Sequence, residues 1–417
     1  MHPAEALAAQ QSKDRRSPLP NAIGSSSGGH AAGGRLVGLD VARCIALIGM
    51  IAHHTLAKTI HGHVPWPQSL ATGRSSGLFA VLAGTSIAIM TRRSTLERQS
   101  GRGRLEISIF VRALAIAAIG LVLEKLHDPG VGVILPYYGV LFMLGIPFLR
   151  LRARQLLAAA LVADLVLPFV SALVRPHLPS TASVPLHDLT PFQLAVNLGL
   201  NGDFPALPWL GFLLAGMALG RVALDRPRTA WWLVATGSAL AVAAATVSDL
   251  LLRIPSARTA LLQSWPDARP GATWHDLAAA LPAGFGGTTP TGSLWWLAVH
   301  APHTATPFDL MQTTGCAVAV IGGCLLAARH RPRVWQVVFG AGAMSLTSYS
   351  LHLVLLRTDV WPDIGTTNFW SEAAVVLTVG AGFALLRWRG PLERIVSFLT
   401  GLASGFPHPQ MSRIRSR

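Results

Sequence analysis

Apolar and polar positions alternate along this chain in long blocks rather than at the spacing of soluble helices or strands. Ten apolar stretches of membrane-crossing length fall near 38–57, 75–91, 108–125, 130–149, 154–174, 204–222, 229–251, 308–328, 335–356 and 369–387. About 20 apolar residues suffice for a helix to cross the hydrocarbon, so the expected fold is all-α. The chain reads as a polytopic membrane protein, a bundle of about ten transmembrane helices. The polar blocks are of two kinds. Arg92, Arg93, Arg98, Arg102 and Arg104 lie in one loop, Arg150, Arg152 and Arg154 in another, then Arg221, Arg226 and Arg228. Arg329, Arg331 and Arg333 follow, and Arg387, Arg389 and Arg394 close the series. Every second loop is basic, which by the positive-inside rule predicts an even number of spans with both termini cytoplasmic.

Composition agrees. Of 417 residues 51% are hydrophobic and 13% charged, against about 25% charged in soluble domains. The net charge of +15 comes almost wholly from arginine, for Lys13, Lys58 and Lys125 are the only lysines. Because the charges are spread over alternate loops rather than gathered on one patch, they predict no nucleic-acid partner. The arginine bias points to a GC-rich bacterial genome. Cys44, Cys316 and Cys324 fall in apolar spans and show neither a disulfide framework nor a metal-type spacing.

Three regions follow. Residues 1–34, rich in Ser, Gly, Ala and Gln, read as a disordered cytoplasmic tail without a cleavable signal peptide. Residues 35–400 form the membrane domain, with 252–307 as a long extracytoplasmic loop expected to fold as an ordered cap. Residues 401–417 form a basic cytoplasmic tail. The tryptophan pair Trp295-Trp296 in the long loop fits an interface anchor. The expected location is the inner (plasma) membrane, and the span pattern leaves room for a homodimer.

Candidate chemistry concentrates in the first span. Asp40 and Arg43 are i,i+3 neighbours on a helix. His54 lies eleven residues after Arg43 on nearly the same face, about 16 Å further along. His53 points some 100° away and reads as a packing residue. His61 and His63 follow, in the segment His61-Gly-His63-Val-Pro-Trp66-Pro, whose prolines stop the helix. A neutral histidine there suits proton transfer, since imidazole titrates near pH 6.5.

This stretch resembles the membrane acetyltransferases of the heparan-α-glucosaminide N-acetyltransferase type. The resemblance covers residues 35–93 and rests on Leu39-Asp40-Val-Ala-Arg43, His63-Val-Pro-Trp66 and Leu78-Phe-Ala-Val-Leu-Ala-Gly-Thr-Ser86. It implies transfer of an acetyl group from cytosolic acetyl-CoA, or another acyl-CoA, to an extracytoplasmic sugar amine. It also implies His63 as the catalytic histidine and Asp40 and Arg43 as the helix-start motif. Cys44 stands where that family has glycine, and Pro67-Gln68 where it has Asn-Gly. The chain is similar, too, to bacterial integral-membrane O-acyltransferases, which carry an Arg, ten residues, then a His; Arg43 and His54 reproduce that spacing.

On these grounds His63, His54 and Asp40 are the expected catalytic group, with His54 the second choice as base and Asp40 orienting Arg43. Arg43 and Arg112 are expected to hold the CoA phosphates, and Trp66 and His61 the acceptor, an extracytoplasmic glycan or glycolipid among membrane lipid. Arg112 serves equally well as a side chain snorkelling to the interface. Asp164, mid-span, needs a partner or a wet cavity; Arg112 and His352 are the candidates. His352 with Ser348 and Tyr349 forms a polar stripe that is more often packing glue than chemistry. His300, His303 and Asp309 lie where the long loop rejoins the membrane. No metal is expected: adjacent histidines diverge on a helix and no Cys or Glu completes a zinc set, and a haem between His54 and His352 lacks supporting motifs. A competing class is a transporter or flippase of a polar or lipid-linked molecule, for which Asp164 and the glycine-rich helices would serve.

Overall fold

The computed structural model describes residues 36–56, 64–97, 102–126, 131–181, 184–357 and 367–404. His61 and His63 lie outside the described residues. The described residues form helices joined by turns and loops and contain no strand. Its helices are α1 Val37–Thr55, α2 Trp66–Ala71, α3 Arg74–Glu97, α4 Arg102–Lys125, α5 Leu135–Gly145, α6 Ala153–Val174, α7 Pro191–Val196 and α8 Leu210–Leu219. Then come α9 Pro227–Leu251, α10 Pro255–Gln263, α11 Trp274–Ala280, α12 Pro307–Ala327, α13 Pro332–Val338, α14 Ser345–Leu355, α15 Thr367–Leu385 and α16 Pro391–Ser404.

Among the described residues seven helices are long and apolar enough to cross a membrane, and α13 with α14 passes the same test only as a pair bent by 67°, the geometry of a broken span or a re-entrant loop. The two remaining stretches expected to cross, 130–149 and 204–222, contain shorter apolar helices over Leu135–Phe148 and Leu210–Leu219. Proline explains the shortening: Pro136 sits in the first turn of α5, and Pro205 and Pro208 hold the chain out of helix before α8. All ten residues of α8 are buried, as expected of a helix apolar on every side. By contrast α6 buries Leu156, Ala160, Ala163 and Pro168 and exposes Leu157, Leu161, Leu165 and Phe169. Such an apolar outer face suits lipid, not water.

Small residues let the helices touch. A Cβ on Gly84 of α3 would lie 2.1 Å from Leu213 O, and one on Gly216 of α8 would lie 1.9 Å from Val81 O. The long pair α9 and α12 crosses in the same way, Gly237 against Gly315 O at 2.6 Å. Gly342, in the 3-10 turn between α13 and α14, abuts α1 so closely that a Cβ would be 1.9 Å from Asp40 O.

Residues 252–307 fold into α10, α11 and two 3-10 turns around their own apolar cluster of Leu252, Leu261, Leu277, Trp296, Ala298, Val299 and Ala301. Trp296 is fully buried there, its indole N–H donating to Ser264 Oγ at 2.9 Å. The interface-anchor role expected of it is therefore replaced by core packing. At the other end of the bundle the arginine-rich loops tie to one another. Arg150 pairs with Glu106 at 2.7 Å, Arg221 donates to Leu149 O, and Arg329 donates to Asp225 O at 2.8 Å.

Candidate active site

The last turn of α1 ends at a cavity of about 550 Å³ whose lining includes His53, His54, Gln68, Asp203, His303 and Tyr349. Its walls come from α2, from residues 131–134, from the Asp203–Phe204 turn, from 283–287 and from the end of α14. Loops expected on one side of the membrane thus converge on a single site. Asp203 enters from the turn before α8, and burial raises its carboxyl above the ordinary carboxylate range.

The central feature is a chain of three side chains from three helices. His54 Nδ1 lies 2.9 Å from His352 Nε2, with the two rings stacked at 12°. His352 Nδ1 lies 2.8 Å from Glu372 Oε2. His352 is 0% exposed and Glu372 1%, so the carboxylate depends on its partner. The two contacts are compatible with one relay, in which Glu372 accepts from Nδ1–H of His352 and Nε2 of His352 accepts from Nδ1–H of His54. In that tautomer the basic lone pair of His54 falls on its Nε2. The direct contact of the two imidazoles also gives Asp164 no share in His352.

His53, expected as packing, lines the cavity too. Gln68 Nε2 and Thr72 Oγ1 each lie 3.2 Å from its Nδ1. The His303 ring lies 5.7 Å from His53, tilted by 42°, and edge-on to Phe204 at 5.6 Å. Burial pushes the His303 imidazole down to about 3, with the His53 and Arg74 charges acting the same way. Its backbone is left-handed at φ 55°, as is Ala305 at φ 51°. Asp309 secures this bend by accepting from the backbone N–H of Thr304 and Ala305 at 3.1 and 3.2 Å. His300 faces a neighbouring cavity instead.

Arg43 donates to Asp40 at 2.6 Å and to Ser86 Oγ at 2.8 Å. Neither Asp40 nor Arg43 lines the cavity, which runs along α1 only as far as Met50. Leu47, on the same face between Arg43 and Met50, is fully buried. The structure therefore separates the two ends of this face. Trp66, at the start of α2, is 74% exposed and does not line the cavity, although Val64 and Gln68 do. Arg112 is half-buried on α4, its Nε without a hydrogen-bond partner among the described residues. Asp164 is buried against Gly211 of α8, and its Oδ1 finds no partner among the described residues, neither Arg112 nor His352. No group of three or more metal-ligating side chains occurs among the described residues.

Sequence reasoning did not single out Glu372. An ionisable residue in an apolar span is the signal that finds it, and its pairing with His352 emerges from packing alone. Asp203 carries no comparable signal, for it sits in a loop.

A helical membrane bundle with a buried histidine–carboxylate chain opening on a cavity can present a general base to a bound molecule. The model of the family "heparan-alpha-glucosaminide N-acetyltransferase, catalytic" matches residues 35–252, more than half of the chain. The chain belongs to that family of membrane acetyltransferases. No curated protein matches it closely. His352 and Glu372 lie beyond the matched residues.

Proposed function

We propose that the protein transfers an acetyl or other acyl group from cytosolic acyl-CoA to an amine or hydroxyl of an extracytoplasmic glycan or glycolipid at the plasma membrane. The observation that carries this reading is the His54–His352–Glu372 chain at the cavity, in a member of an acetyltransferase family. His54 Nε2 takes the proton of the attacking amine or hydroxyl as the new C–N or C–O bond forms. The thioester C–S bond then breaks, and the proton passes from the imidazolium to the departing thiolate. Glu372, through His352, fixes the tautomer of His54 and favours the imidazolium that forms, as a carboxylate does in other triads. Family resemblance names His63 as base; the hydrogen-bond chain favours His54.

Arg43, with Arg112, holds the charged end of the donor in this reading, Asp40 keeping the Arg43 guanidinium in place. The acyl-pantetheine arm must then displace Leu47 to reach Met50 and the cavity. Purified protein in liposomes, given acyl-CoA and an amino-sugar acceptor, tests the proposal through release of free CoA coupled to acylated product. Wild type is expected to turn over and His54→Ala to lose about 10²-fold or more of its rate. Wild type and variant equally inert, with a solute gradient dissipated, would replace the enzyme by a transporter.

A further inference from the structure

A second cavity of about 430 Å³ adjoins the first, within the range of small-molecule sites. The two share walls one backbone thick. Gly73, Ala283 and His303 line the reaction cavity, while their chain neighbours Arg74, Pro282 and Pro302 line the second. Glycine makes that wall thin: a Cβ on Gly73, at φ +72°, would meet Pro302 Cβ at 3.0 Å.

The second cavity is basic. Arg74, Arg253 and Arg258 line it, against the single carboxylate of Asp249. Arg258 is held in place: its Nε donates to Leu252 O at 2.7 Å and its guanidinium lies 4.9 Å from the centre of the Trp274 ring. That fixes one guanidinium in advance, so less entropy is lost when it meets a ligand. Arg74 is anchored by donation to Gln312 Oε1 at 2.9 Å. Arg253 is exposed. His300 lies 3.7 Å from Asp249; burial lowers its titration, against the opposing pull of that carboxylate.

We infer that this cavity is an acceptor subsite for an oxyanion (a carboxylate, sulfate or phosphate ester) borne next to the group that is acylated. The inference rests on the acyltransferase reading and specifies its acceptor. Preformed guanidiniums suit planar or tetrahedral oxyanions, which accept paired N–H donors. The shared wall places the anion beside the reacting sugar, which an unrelated lipid headgroup would not require. Most of the lining comes from residues after 252, beyond the stretch matched by the family model. The preference is thus a property of this chain's own long loop.

Calorimetric titration of the purified full-length protein with glucosamine and with glucosamine 6-phosphate, at low ionic strength and without acyl-CoA, is the test. The phosphorylated sugar is expected to bind roughly tenfold more tightly, as a charge-assisted hydrogen bond provides. Arg253→Gln should reduce that preference, and Arg253→Gln with Arg258→Gln should bring it within about twofold, neutral-sugar binding being unchanged. Equal affinities in wild type, or a preference that survives both substitutions, would overturn the subsite. So would arginine variants that lose binding to phosphatidylglycerol vesicles while keeping the sugar phosphate, because the anion site would then belong to lipid. Because binding is read without turnover, an inert enzyme that prefers the sugar phosphate sinks the transferase reading alone. An active enzyme indifferent to the phosphate sinks the subsite alone.

Discussion

Three side chains from distant parts of the sequence meet within 3 Å steps at the end of α1, and their order sets what each substitution should do. Glu372→Gln removes the charge that orients His352 while keeping the side-chain shape. It should lower kcat by about 10²-fold with the KM for acyl-CoA unchanged, since Glu372 does not line the cavity. A comparable loss in KM instead would show that Glu372 serves binding. The comparison of His54→Ala with His63→Ala settles which imidazole is the base: the larger loss marks it. Asp40–Arg43 was legible beforehand because i,i+3 spacing is a local property, and the observed 2.6 Å pair needs nothing else. His54–His352 was not, because 298 residues separate the partners and one sequence offers no means of pairing them. His303 offers a separate test. Its folded-state titration lies at about 3, against about 6.5 in an unfolded chain. Between those values the unfolded chain binds a proton that the folded one refuses. Stability from this group is therefore complete above about pH 6.5 and falls as pH drops towards 3, by at most about 1.4 kcal/mol per pH unit. Asparagine tolerates the left-handed backbone at φ 55°. Thermal unfolding of His303→Asn should accordingly depend less steeply on pH between 7 and 5 than that of wild type; equal slopes would refute the assignment.

At the scale of elements, apolar length located seven of the ten expected spans as helices of crossing length, but it did not show where the others break or shorten. The stretch 335–356 read as one continuous crossing. It is instead α13, a 3-10 turn over Gly340–Met344 and α14, bent by 67°. The break has a packing cause. Gly340 approaches Gly380 O of α15 at 2.3 Å and Gly342 approaches Asp40 O of α1 at 1.9 Å, measured to the Cβ each lacks. Both distances are too short for any side chain, and neither is visible until the helices are assembled. Glu393 of α16 secures the restart by accepting from the backbone N–H of Leu346 and Thr347 at 2.8 and 3.2 Å. A carboxylate is favourable at a helix N-terminus. Since α14 carries His352, the bend aims the chain proposed to act as base. Gly342→Val should therefore push α14 from α1, lowering the unfolding temperature by an amount corresponding to about 1–3 kcal/mol. Activity should fall further than that loss of folded protein explains. A variant as stable and active as wild type would mean that the turn adapts freely.

Across the whole molecule, the arrangement of charge along the sequence anticipates which loops meet. Segments from the connections that alternate with the short arginine-rich loops surround the cavity at the end of α1, whereas Arg150, Arg221 and Arg329 tie the arginine-rich ones together. This grouping follows from helices that traverse the bundle in alternation, and it explains why the fold was readable from span lengths and arginine positions. The long loop's interior was less so, since Trp296 serves its own small core rather than an interface and nothing in a tryptophan pair distinguishes the two. Sidedness is the remaining consequence. If the arginine-rich end faces the cytoplasm, as the positive-inside rule demands, then the acceptor site and the basic subsite face outward while Arg43 faces the donor pool. Single cysteines test this in a chain whose Cys44, Cys316 and Cys324 are replaced by alanine: Arg253→Cys in the long loop and Arg150→Cys, whose side chain is 70% exposed at the other end. In right-side-out vesicles a membrane-impermeant maleimide should label the first at once and the second only after permeabilisation. The reverse order would place the histidine chain on the cytoplasmic side, where acyl-CoA and acceptor would have to share one face, and transfer across the membrane would be excluded.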